Sequence, residues 1–296
     1  MRGEIMPAVI PFAQRSILAV RGPDRKTFLQ GLVTNDVMQV NAETALYACL
    51  LTANGRFLHD FLVFEQEDAL FLIPERARAD ELYTRLRKYV LRSKVELLDL
   101  AADWEVWGIC GTDIGAVTGF AAEAAPGQAL ALAGGVVCLD PRDSRLGAVA
   151  VLPKGGRDLL PLPQEDFSIW DRLRIGLGVP DGSRDLIPER AILLENNIDR
   201  LNGISWTKGC YMGQELTART HYRGLVRKGL VPVRVSDAAP AFDAPLFRDG
   251  AEVGHMRSVC GDVGLALVRA EEVRVGDVLR DVAGVTALVL QDGLQT

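Results

Sequence analysis

The pattern of this chain changes at Arg227. Before it, β-rich runs alternate with helical spacings; after it there are only short β runs, residues 230–235, 263–268 and 285–290, broken by Asp, Gly and Pro turns. A chain divided in this way folds as mixed α and β followed by an all-β unit, and the last segment is expected to close into a small β-barrel. With 296 residues and 48% hydrophobic composition the chain can bury more than one core, so a multi-domain protein is expected.

Upstream of Arg227 the spacing predicts a strand over 16–20 and a helix over 25–32, with Gly22-Pro23-Asp24 as turn and N-cap. Strands over 45–51 and 57–64 are joined through Asn54-Gly55, a hairpin signal, and 69–73 adds a third. Between 75 and 91 the apolar residues Ala79, Leu82, Leu86, Tyr89 and Val90 fall at helical spacings. The arginines of that stretch, Arg76, Arg78, Arg85, Arg87 and Arg92, read as a solvated helix surface. Further strands are expected over 94–98, 104–110 and 146–152, with the Ala/Gly-rich stretch 121–135 a connection or helix. Asp166 or Ser168 caps a helix that carries Phe167, Trp170, Leu173 and Leu177 on one side and stops at Gly178-Val179-Pro180. A last helical pattern starts near Tyr211.

The net charge of −6 argues against a broad cationic surface for duplex nucleic acid. The opening segment has no long apolar core and no later stretch gives eighteen uninterrupted apolar residues, so neither export nor membrane insertion is expected. Cys49, Cys110, Cys138, Cys210 and Cys260 are odd in number, with no Cys-x-x-Cys pair, as suits reduced thiols in a bacterial cytoplasm. Cys49 and Cys138 sit in apolar strand-like runs and read as small core residues.

Cys210 is set differently, within Lys208-Gly209-Cys210-Tyr211-Met212-Gly213-Gln214-Glu215. A neighbouring ammonium and a helix start both favour thiolate over thiol, and Gly209 and Gly213 allow a sharp turn and close approach of a partner. Glu215 and Arg219 are four apart and can pair along the helix, and Gln214 can orient a bound group or hold a neighbouring loop. The nearest histidine in sequence, His221, is eleven residues on, so a Cys–His catalytic pair is disfavoured and a shared metal ligand is the better reading of the sulfur.

The run Lys-Gly-Cys-Tyr-x-Gly-Gln-Glu, continued through Leu216 to Gly224 and preceded by Gly178 to Gly182 and Asn202 to Thr207, resembles the signature of the YgfZ-type proteins. These are relatives of the glycine-cleavage aminomethyltransferase that serve iron–sulfur cluster assembly, and the run is most similar to their mitochondrial-type branch and its bacterial counterparts. Weaker echoes occur at Phe28 to Asp36 and Lys88 to Val95. The resemblance implies an α+β, GcvT-like three-lobed ring. Its first lobe, 1–45 plus 145–226, would be discontinuous and carry the motif, 46–144 would form the second, and 227–296 the C-terminal β-barrel.

Cys210 matches the family's functional cysteine, which implies cooperation with an A-type iron–sulfur carrier protein in the maturation of [4Fe–4S] client enzymes. One cysteine cannot hold a cluster alone, so a transient [2Fe–2S] cluster shared with the carrier is expected, with Cys210 as the metal ligand and no turnover chemistry required. The fold also resembles tetrahydrofolate-dependent transferases. Two alternatives follow, a folate-dependent aminomethyl or one-carbon transferase and a folate-linked module in tRNA modification, with Trp170 and Asp60, beside His59, as candidate folate contacts. The sequence departs from that pattern at Gly176, where relatives carry a glutamate, and at Arg15, where a tryptophan is expected. Loss of a charge-assisted contact weakens pterin binding by roughly 1.5–3 kcal/mol. Asp80 lies near the position of the transferases' catalytic aspartate, but its lead-in Ile73-Pro74-Glu75 differs, and it reads as a helix-surface acid.

Overall fold

The structure, a computed structural model, describes residues 6–236 and 239–290. The opening five residues, Asp237, Ala238 and residues 291–296 of the expected barrel lie outside the described residues. The chain divides into two compact units, one of Met1–Leu51, Leu58–Trp170 and Leu201–Met212, the other of Thr52–Phe57, Asp171–Arg200 and Gly213–Thr296.

Strands β1 (Ala8–Pro11), β2 (Leu18–Arg21), β3 (Leu46–Leu51), β4 (Phe57–Gln66), β5 (Ala69–Pro74), β6 (Glu96–Asp99), β7 (Trp104–Cys110), β8 (Ala129–Leu132), β9 (Gly135–Leu139) and β10 (Ala148–Pro153) form two five-stranded antiparallel sheets. Their orders are β3-β4-β5-β2-β6 and β1-β7-β10-β9-β8. Both sheets therefore combine strands from either side of residues 45/46 or 144/145. Helices α1 (Arg25–Gln30) and α2 (Ala79–Val90) cover the first sheet. Phe28, Leu29, Leu82 and Leu86 pack with Leu18, Val20, Leu50, Phe61, Val63, Leu70 and Leu72. Each such side chain contributes about 1.5–3 kcal/mol on burial. The second sheet has its own core of Val9, Ile109, Val137, Leu139, Ala150 and Leu152. Within 121–135 the chain forms turns and then β8, paired with β9, and no helix; the short α3 (Gly115–Thr118) precedes it.

α4 (Phe167–Gly176) starts where Asp166 accepts a hydrogen bond from the Ser168 N–H at 2.9 Å. Its most buried positions are Trp170, Asp171, Arg174 and Ile175, whereas Phe167, Leu173 and Leu177 are only half-buried. The expected apolar stripe is thus rotated toward a buried ionic cluster. In the second unit the fully buried Arg174 donates to Asp171 and Asp185 (both 2.7 Å), Ser258 Oγ (2.8 Å) and the Val179 carbonyl (3.0 Å). A buried guanidinium is tolerated only when its donors are met in this way.

α5 (Gln214–Tyr222) begins three residues later than the pattern suggested, after Gly213 turns the chain at φ 81°. The barrel follows: β11 (Lys228–Val235), β12 (Pro245–Arg248), β13 (Ala251–Cys260), β14 (Val263–Arg269), β15 (Val278–Arg280) and β16 (Thr286–Val289), closed in the order β11-β14-β13-β12-β15-β16. Val231, Val233, Leu246, Met256, Val268, Leu279 and Ala287 fill it. Sequence periodicity located three of its six strands and missed β13, whose Gly254, His255, Arg257 and Ser258 interrupt the apolar alternation and whose register shifts between Met256 and Val259.

Candidate functional site

Two segments far apart in sequence interlock to build the Cys210 loop, and both lie in the first unit. Residues 30–36, at the end of α1, and residues 202–212 each present backbone carbonyls to donors of the other. The Lys208 ammonium donates to the carbonyls of Gln30 (2.8 Å), Val33 (2.7 Å) and Asn35 (2.7 Å), one for each of its three protons. Thr34 Oγ1 donates to the Gly203 carbonyl at 2.6 Å and accepts from the Cys49 N–H, Asn35 Nδ2 reaches the Asn202 carbonyl at 2.7 Å, and the Ser205 N–H bonds back to the Thr34 carbonyl at 3.0 Å. Beyond the cysteine, the Met212 N–H returns to the Gly31 carbonyl at 3.0 Å. The loop is therefore pinned on both sides of Cys210.

This geometry alters the expected role of Lys208. Its donors are directed at carbonyl oxygens and its charge sits 5.3 Å from the buried Tyr211 ring, so it anchors the loop through main-chain contacts. Burial pulls its pKa down to about 8, with the Asp36 carboxylate opposing that fall. Asp36 is itself fixed: burial works against its charge, but hydrogen bonds from Gln30, Gln39 and the Met38 N–H outweigh it and lower its pKa. The helix start expected beside the cysteine also lies further on: α5 begins four residues beyond Cys210, and a helix end acts only over its first turn.

Cys210 is exposed, and a Cβ added to the neighbouring Gly209 would meet no atom within 4 Å. The other cysteines are set apart from it. Cys49, Cys110 and Cys138 are buried. Burial pushes the Cys49 and Cys138 thiols well up, with Asp60 and Asp140 adding to the effect, and raises Cys110 to about 11. Cys260 is half-buried on the barrel and is raised by burial and by Asp171. Among the described residues no three His, Cys, Asp or Glu side chains gather as a metal site. On α5, Arg219 and Glu215 form the expected pair at the surface, and His221 packs edge-on against Tyr222.

The candidate folate contacts lie elsewhere in the first unit and are enclosed. Trp170, 2% exposed, packs against Phe12 at 4.8 Å, and the Arg142 guanidinium lies 5.5 Å from its ring and 5.5 Å from that of Tyr47. Arg142 is held in turn by two hydrogen bonds to Asp140, at 2.9 and 2.6 Å. Asp60, also 2% exposed, accepts from the Tyr47 hydroxyl at 3.1 Å and lies 3.9 Å from Arg15. The arginine that stands where a tryptophan was expected therefore supplies a counter-charge for Asp60, the carboxylate named as a candidate folate contact. With the ring faces and the carboxylate both occupied by protein groups, these residues do not fit a pterin. His59 is turned toward Glu81, 3.4 Å away, and Asp80 is exposed in the first turn of α2.

The fold and the anchored cysteine loop together define a GcvT-fold protein with a C-terminal barrel. The family described as CAF17, C-terminal beta-barrel domain matches residues 227–290, and the GCVT N-terminal domain matches 12–118. The glycine cleavage system aminomethyltransferase T from Bartonella henselae superposes with a TM-score of 0.78 at 16% identity, over 97% of this chain and 86% of that one, which places the fold. In sequence the chain is 36% identical to the human iron–sulfur cluster assembly factor IBA57, mitochondrial, over 88% of this chain and 77% of the relative. It is 32% identical to the mouse protein of the same name with the same coverages, and 30% identical to the homolog from Aspergillus clavatus over 87% and 69%. The chain belongs to the IBA57/YgfZ-type family of iron–sulfur cluster assembly factors. No described helix is long and apolar enough to cross a membrane.

Proposed function

We propose that this assembly factor acts by presenting Cys210 as one ligand of a transient [2Fe–2S] cluster, the remaining ligands coming from an A-type carrier protein. The observation that carries the reading is the exposed sulfur at the tip of a loop pinned by Lys208 and Met212 on either side. A cluster needs several thiolates, and the other four cysteines are buried or half-buried with thiols harder to ionise, so the partner must complete the set. The cluster is cargo, passed on toward [4Fe–4S] client enzymes. Lys208 is a positioning residue: it fixes the backbone from which the thiolate projects and leaves the iron to the sulfur. Five cysteines with no disulfide among the described residues suit a reducing, cytoplasmic setting in which Cys210 stays available.

Mixing the protein with a [2Fe–2S]-loaded A-type carrier should give a 1:1 complex with cluster absorption, detected by size-exclusion chromatography at two wavelengths. Cys210→Ala should lose the cluster-bridged complex, whereas Cys260→Ala should keep it. A Cys210→Ala protein that forms the same coloured complex would sink the reading.

A further inference from the structure

A second exposed feature adjoins Cys210 in the first unit. α2 ends at Val90, and Leu91 then takes φ 40°, a conformation unfavourable to any residue with a side chain, yet its side chain is 87% exposed. Tyr89, also exposed, donates its hydroxyl to Met212 Sδ at 3.3 Å. Met212 is two residues from Cys210, so chain length alone keeps the two Cα atoms within about 7 Å. Tyr89, Leu91, Arg92, Ser93 and Asp24 line a shallow depression.

The basic residues of this region fall into two groups. Arg76 bonds the Ala13 carbonyl (2.7 Å), Arg78 bonds the Leu58 carbonyl and Glu81, and Arg85 lies 3.6 Å from Glu81. Those three are held internally. Arg87, Lys88, Arg92 and Lys94 are exposed and have no acidic side-chain partner among the described residues. Asp24, the acid of the depression, receives the Lys94 backbone N–H at 2.7 Å. Four exposed cations within residues 87–94, on a chain of net charge −6, flank the exposed Tyr89 and Leu91 in sequence, the composition of a surface that steers and then seats an oppositely charged protein.

We propose that Arg87, Lys88, Tyr89, Leu91, Arg92 and Lys94 dock an acidic, partly apolar face of the cluster-carrying partner and so bring its cluster to Cys210. The inference rests on the reading of Cys210 above and adds the chemistry of the partner's surface. Arg87, Lys88 and Arg92 supply the long-range attraction; Leu91 supplies apolar contact.

The test uses the full-length chain and an A-type carrier, both cluster-free and [2Fe–2S]-loaded, in titration calorimetry over a range of salt concentrations. The triple change Arg87→Glu/Lys88→Glu/Arg92→Glu should weaken carrier association roughly tenfold or more and remove most of its salt dependence. Hydrogen exchange at the Met212 N–H, which is bonded to the Gly31 carbonyl, should stay as protected in the variant as in wild type, which certifies the loop. Leu91→Gly should raise the melting temperature while weakening association several-fold, opposite signs that a purely structural role for Leu91 cannot give. If Cys210→Ala abolishes the cluster-bridged complex but the patch variants bind as tightly as wild type, the docking proposal fails and the cysteine reading stands. If wild type does not bind the carrier at all, both fall. Self-association or tRNA retention lost in the patch variants, with carrier binding unchanged, would assign the surface to a second copy or to RNA and overturn the proposal.

Discussion

The Cys210 loop and the Trp170 cluster lie in the same compact unit, and each buries a cation against oxygen atoms. Lys208 meets three neutral carbonyls, whereas Arg142 meets both oxygens of the Asp140 carboxylate and covers the rings of Tyr47 and Trp170. In the first case the protein uses a charge to tie down backbone and leaves the tip of the loop bare. In the second, charges and ring faces are turned on one another within the protein. Two candidate sites suggested by one resemblance thus part company on where their polar groups are directed.

The contrast is most sharply tested where breaking it should be most destabilising. Asp140→Ala strands the buried Arg142 guanidinium, 5% exposed, and should cost about 3–5 kcal/mol, read as a lower urea midpoint. At a temperature where the variant is still folded, cluster-bridged complex formation should match wild type. Loss of that complex from a folded variant would mean that the enclosed cluster takes part in function after all.

Lys208→Met should cost about 2–4 kcal/mol, since three carbonyls lose a charged donor while the burial cost of the ammonium is relieved. The loss should appear locally, as faster hydrogen exchange at the Met212 N–H and weaker carrier complex formation. Lys208→Arg restores the charge but cannot aim three N–H groups at one ring of carbonyls. If Lys208→Arg behaves as wild type, charge near the sulfur matters more than the anchor.

His59 precedes Asp60 on β4 but is turned toward Glu81, and it gives the fold an acid sensitivity. Burial first, then the Arg78 cation, lower its pKa from 6.5 to about 4. The unfolded chain takes up this proton near pH 6.5 and the folded chain only near 4, so the associated stability is full above 6.5 and is lost as pH falls through that window. At 1.36 kcal/mol per unit the loss is roughly 3 kcal/mol. Glu81 is also held below its usual value: burial opposes this, but Arg78, His59 and Arg85 outweigh it, so it adds in the same direction at lower pH. His59→Gln should flatten the slope of stability against pH between about 4 and 6.5, and an unchanged slope would place the titrating group elsewhere.

What the sequence made legible was residue identity at the site: the Lys-Gly-Cys run, the flexible glycines and a cysteine outside the apolar strand-like runs all stand out by type and spacing, whereas the exposure of Cys210 came only with the structure. The anchor was not legible, because the partners of Lys208 are main-chain oxygens more than 170 positions away, and a carbonyl has no side-chain identity to read. Segment 28–36 stood out as a family echo, yet its contact with 202–212 is made largely through backbone groups. In the fold, strands of continuous apolar residues such as β3 and β5 declared themselves, and α4 misled because its buried face carries Asp171 and Arg174, whose burial depends on Asp185 and Ser258 in distant segments. Gly213 displaced the start of α5 for a similar reason, its positive φ making a turn where the pattern read helix.

The smallest expected effect separates two explanations for the poor fit to a pterin. If the glutamate missing at position 176 were the whole reason, Gly176→Glu would confer tetrahydrofolate binding. If enclosure of Trp170 and Asp60 is the reason, it would not. The substitution is sterically free, since a Cβ at Gly176 meets no atom within 4 Å. Its effect on stability should be near zero: a better helix former gains about 0.5–1 kcal/mol over glycine, while a negative charge at the carboxyl end of α4 loses about 0.3–1 kcal/mol. Calorimetry of the folded variant with tetrahydrofolate should therefore show no binding heat. Measurable affinity would mean that the ring and the carboxylate can be reached, and the contrast with the Cys210 loop would then be one of degree.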